Sequence, residues 1–150
     1  MQTTKNAPNP IQQAYETSGM AFYSIATMAA INAFICYLWI SSYFPIGLGV
    51  TQVIAPISHI FQENPDSAQL MTGILLYLAI VAAVAVFGFF IKKQNKPALV
   101  AASALYLLDT ILVILLKDYL ALAFHGYFLY RLWLDWQVIT KQPQSAVESM

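Results

Sequence analysis

Residues 97–139 read PALVAASALYLLDTILVILLKDYLALAFHGYFLYRLWLDWQVI, two apolar runs parted only by Lys117-Asp118. Each run makes a helix of about 30 Å, the thickness of a bilayer's hydrocarbon core. A link of two residues forces the two helices to fold back on each other as an antiparallel hairpin. The stretch therefore sets the fold class as all-α, with apolar helices packed side by side.

Upstream, Lys92-Lys93-Gln94-Asn95-Lys96 stops another run, aliphatic and aromatic after Thr72, and Pro97 suits the first turn of the helix that follows. The polar run Gln62 to Ser67 is the clearest turn in the chain, and Asp66 or Ser67 can cap the helix after it. A first apolar run carries Ser24, Thr27 and Asn32 in its interior; Trp39 and Tyr43 mark an interface, and Pro45, Gly47 and Gly49 end it. The expectation is an integral membrane bundle of four transmembrane helices, with spans of about 19–43, 68–91, 97–116 and 119–139. Polar cytoplasmic tails, 1–18 and 141–150, flank them.

Composition points the same way: 59% of the 150 residues are hydrophobic and 9% charged, against about 25% charged in an ordinary soluble domain. Zero net charge and no basic stripe argue against nucleic acid as a partner. The single cysteine, Cys36, rules out an internal disulfide and reads as apolar packing. With Lys5 as its only basic residue, the start is a poor signal peptide, so the first run reads as a retained helix. No internal repeat is visible.

Between the first two spans, Ile46, Val50, Val53, Ile54, Ile57, Ile60 and Phe61 recur at a helical period. Thr51, Gln52, Ser58 and His59 fill the opposite face, which predicts an amphipathic segment lying on the membrane. Pro56 and the pair Gly47 and Gly49 leave a re-entrant loop as the alternative. His59 stands at i,i+4 from Glu63, a solvated-face pattern in preference to a metal site. No cofactor or metal is expected.

Orientation follows from the basic residues. If Lys92, Lys93 and Lys96 are cytoplasmic, Lys5, Arg131 and Lys141 fall on the same side and Lys117 alone lies outside. Both termini are then in the cytoplasm.

Asp109 is the residue on which chemistry turns, because an aspartate inside an apolar span costs about 2.5–3.5 kcal/mol on insertion scales. It lies eight residues before Lys117, and His125 eight after, so both stand about 12 Å from the turn on neighbouring helices. An imidazole N–H can donate to the carboxylate. The same depth arithmetic brings Asn32 and Tyr77 into one polar layer, and Tyr106 lies a helical turn from Asp109. The layer reads either as glue between helices or as a working site. Arg131 and Asp135, at i,i+4, read as a surface ion pair. Nucleophile-elbow, zinc-protease, paired-cysteine and phosphate-loop motifs are all absent, and no catalytic residue is assigned.

Phe44-Pro45-Ile46-Gly47-Leu48-Gly49-Val50-Thr51-Gln52, together with Leu105 to Thr110 and Leu122 to Gly126, resembles a pattern in small bacterial four-helix inner-membrane proteins. The resemblance covers about half the chain and implies an inner-membrane location. No activity comes with it. The first functional expectation is a non-enzymatic subunit or oligomeric scaffold that acts through lipid, a membrane-protein partner or its own copies. The second is a small transporter or proton-coupled channel using Asp109 and His125, and the third an intramembrane enzyme acting on a lipid or quinone.

Overall fold

The computed structural model describes residues 9–37, 48–50 and 67–141. Four long helices carry them: α1 (Pro10–Tyr37), α2 (Ser67–Lys92), α3 (Lys96–Leu116) and α4 (Tyr119–Lys141). Among the described residues there is no strand.

The turns are built from local chemistry. The Asn95 carboxamide oxygen accepts from the Ala98 N–H at 3.0 Å, and Pro97 occupies the first turn of α3 without wasting a backbone donor. At the other end Lys117 takes a left-handed conformation, φ 57°, so that its N–H and that of Asp118 return to the carbonyls of Ile114 and Val113. Asp118 then accepts from the Ala121 N–H at 3.0 Å and caps α4. Two residues thus close one helix and open the next.

α1 begins at Pro10, nine residues before the expected Gly19, so part of the presumed polar tail is helix. Asn9 caps it, its side chain accepting from the Ile11 N–H at 2.9 Å. Ala14, Tyr15 and Ser18 continue the buried stripe of Phe22, Ile25, Ala29 and Asn32 at i,i+3/i+4 spacing. Hydropathy missed this turn because Gln12, Gln13 and Glu16 fill the outer face.

α1 packs most closely on α2, running antiparallel to it. A Cβ added at Gly19 or at Gly88 would stand only 2.9–3.0 Å from the other glycine's carbonyl oxygen, so the two backbones meet where neither has a side chain. Further along, the Tyr77 hydroxyl donates to the Ala29 carbonyl at 3.0 Å. α4 lies against α1 and α3, while α2 packs on α3 more lightly than on α1. Lys92, Lys93, Lys96 and Lys141 gather at one end of the bundle, with Lys96 Nζ 5.2 Å from the Trp136 ring, and Lys117 stands at the other. Arg131 is not with them: the register that pairs Asp109 with His125 sets it opposite Ser103, well up the helix.

Gly88→Val should lower stability by about 1–3 kcal/mol through overpacking. Gly126→Ala, where an added Cβ meets nothing within 4 Å, should be neutral or gain up to about 1 kcal/mol of helix propensity. Paired thermal melts of the purified variants test this; equal melting points would refute the close crossing.

Candidate functional site

Asp109 stands fourteen residues after Asn95, the α3 cap, on the side of α3 that faces α4 and Leu48–Val50. Its carboxyl accepts two backbone N–H groups, Gly49 on Oδ2 and Val50 on Oδ1, each at 2.8 Å, and Oδ2 also lies 2.9 Å from His125 Nε2 in a hydrogen bond. An ionised carboxylate is acceptor-only, and donors on both oxygens replace the water it has lost. The side chain of His125 is 1% exposed and that of Asp109 9%, so the imidazole is buried while the carboxyl borders the neighbouring cavity.

Each donor is there for a reason. Gly49 and Val50 are in helical conformation immediately after Leu48, and the first N–H groups of a helical turn have no acceptor within it. Buried backbone donors need partners, and here the partner is a side chain from another element. Gly49 is glycine because of space: a Cβ would come within 2.6 Å of Val113 Cγ2 and 3.1 Å of the Asp109 carbonyl oxygen. No other residue lets the backbone reach the carboxylate.

His125 is held from two sides. Nδ1 faces the Ala121 carbonyl at 2.8 Å and Nε2 faces Asp109, so both ring nitrogens meet acceptors. Both hydrogen bonds form together only when the pair holds two protons, as imidazolium with carboxylate or as imidazole with carboxylic acid. The Tyr106 ring stacks on the imidazole at a centroid distance of 4.8 Å and an angle of 5°, braced edge-on by Phe22 and Phe128.

The structure thus brings together Asp109, His125, Tyr106 and Gly49. Tyr77 is instead bound to the Ala29 carbonyl, and Asn32, buried at 1% exposure, lies on the same α1 stripe. The expected surface segment departs from its reading at its start: Leu48 and Gly49 are buried, with Gly49 against the middle of α3. Gly47, Gln52 and His59 lie outside the described residues.

Sequence reasoning also missed a second buried polar contact. Asp135 is 8% exposed and accepts from the Ser18 hydroxyl of α1 at 2.9 Å, in place of the surface ion pair with Arg131. The i,i+4 arginine is the nearer candidate on paper, and only the early start of α1 brings Ser18 within reach. Among the described residues no three His, Cys, Asp or Glu side chains form a metal-binding group.

The chain matches no family model, no curated protein and no solved structure.

Asp109→Ala removes the acceptor from three buried donors and should cost about 3–5 kcal/mol, as breaking a buried ion pair does. Asp135→Ala strands one hydroxyl and should cost about 1–2 kcal/mol. Denaturant titration of both variants would contradict this ranking if the two losses were equal. Gly49→Ala keeps every hydrogen-bonding atom yet should destabilise by about 1–3 kcal/mol through overpacking against Val113; a wild-type melt would show that the backbone does not approach α3 so closely.

Proposed function

We propose that the chain is a four-span integral membrane protein without catalytic activity, working through a membrane-protein partner or its own copies, and that Asp109 and His125 form a structural latch. The carrying observation is that the pair's hydrogen-bonding capacity is engaged within the chain, by Gly49, Val50 and Ala121 as well as by each other.

The membrane assignment is supported by an inside-out distribution of side chains. Ser18, Asn32, Thr110, His125 and Asp135 are buried, whereas Leu75, Leu78, Phe89, Leu108 and Leu115 are exposed. Residues Met71–Lys92 and Lys96–Leu116 are long and apolar enough to cross a bilayer, yet only 17% and 28% of their most apolar windows are buried. The core helix of a soluble protein is mostly buried; these present hydrocarbon outward, over an area that water would not tolerate. The lysines gathered at one end fit a cytoplasmic face.

Within such a membrane, a helical turn that follows Leu48 inside the bundle cannot leave its backbone N–H groups to solvent. Asp109 supplies the acceptor, and His125 supplies a donor that holds the carboxylate in place. A transport reading needs a polar path to one surface. The cavity beside Asp109 is walled mainly by aliphatic and aromatic side chains, which weighs against that reading.

The test is membrane accumulation of Asp109→Asn and His125→Gln beside wild type, after alkaline extraction, with growth followed across external pH. The proposal expects wild type to resist extraction and both variants to accumulate poorly. Well-folded variants at wild-type levels with a pH-dependent growth defect would overturn the latch and favour proton-coupled transport.

A further inference from the structure

A cavity of about 390 Å³ opens between α2 and α3, which pack on each other more lightly than α1 and α2 do. Ile80, Val84 and Phe87 form one wall and Leu105 and Leu108 the other, while Tyr106 also lines it. Leu105 and Leu108 are more than half exposed, so the opening faces sideways, toward whatever surrounds the bundle. The volume is at the lower end of what small-molecule sites occupy.

Tyr106 makes this more than a gap. The residue is 3% exposed and its ring is clamped by His125, Phe22 and Phe128, yet its hydroxyl makes no hydrogen bond to any described residue. Buried hydroxyls in native proteins are nearly always paired. Asp109, the other polar residue on the lining, is already engaged by Gly49, Val50 and His125. A water bridging Tyr106 and Asp109 would have only the minimum of two polar side chains and would leave the apolar walls unfilled. The occupant that matches both the phenol and the walls is an apolar molecule that carries a hydrogen-bond acceptor.

Depth narrows the class. Tyr106 is ten residues from Lys96 and ten from Leu116, which sets it about 15 Å from either end of α3. On the membrane reading above, on which this step rests, that is the middle of the hydrocarbon. The ester carbonyls of a phospholipid are tied to the interface by the headgroup and do not reach there. A neutral lipophile that dissolves in the bilayer interior does.

We propose that the α2–α3 cleft is a binding site for a neutral, membrane-dissolved lipophile bearing a carbonyl oxygen, of the prenylated-quinone type, with the Tyr106 hydroxyl donating to that oxygen. The tail lies along Ile80, Val84 and Phe87 and leaves between α2 and α3. The role assigned to the site is binding alone.

The test uses the full chain in detergent micelles, with decylubiquinone as probe and tryptophan-fluorescence quenching and thermal shift as readouts. Wild type should bind saturably. Tyr106→Phe, which keeps the ring stack and removes only the hydroxyl, should bind about tenfold more weakly while its probe-free melting point stays within a few degrees of wild type. Ala83→Phe, which fills the cleft from α2, should abolish saturable binding. Absence of saturable binding to a folded, membrane-extracted wild type would overturn the site, as would unchanged affinity in both variants. A chain released by alkaline extraction would instead overturn the membrane reading, so the two failures are told apart before any probe is added.

Discussion

The polar contact on which the middle of this bundle depends is the Asp109 carboxyl. It joins three pieces of chain distant in sequence: α3, which carries it, α4 through His125, and the Leu48–Val50 backbone through two consecutive N–H groups. Apolar helices in an apolar medium have little to fix their rotation, because a leucine is as content facing lipid as facing another leucine. A charged group with three required donors admits one arrangement. The stacking of Tyr106 on His125, and of Phe22 and Phe128 on Tyr106, carries that arrangement from α3 to α1 and α4.

A good part of this was legible in the residues. The hairpin of α3 and α4 follows from two apolar runs and a two-residue link, and the equal distances of Asp109 and His125 from Lys117 put them at one depth. Asn95, Pro97 and Asp118 are turn chemistry that reads directly. The other donors to Asp109 were not legible, because a backbone N–H has no letter of its own. Gly49 was noticed as a helix-ending residue, but nothing in its neighbourhood says that its missing side chain is what lets a carboxylate approach. Asp135 misled for a related reason: its partner Ser18 is 117 positions away, and a local arginine offered a simpler story.

The two buried aspartates divide the bundle between them. Ser18 and Asp135 join α1 to α4 toward the lysine-rich end, while Asp109 and His125 join α4 to α3 nearer the other. α2 takes no part in either contact and is held instead by the Gly19/Gly88 crossing and the Tyr77 hydroxyl, both against α1. α2 packs on α3 more lightly than on α1, and the cleft that Tyr106 lines opens on that side.

The same hydrogen-bond count bears on whether the pair could also exchange protons. With two protons the Asp109 and His125 pair makes both of its outward contacts, to Ala121 and to the Gly49 and Val50 backbone. Removing one proton leaves two acceptors, the Ala121 carbonyl and the Asp109 carboxylate, competing for one imidazole N–H, and one contact must open. His125 is buried and Asp109 borders a cavity whose walls are otherwise apolar, so few polar groups stand by to take the vacated place. A proton could leave only if the hairpin or the Leu48–Val50 segment moved with it. Latch and proton carrier are thus alternative uses of the same atoms, and the closed geometry favours the latch.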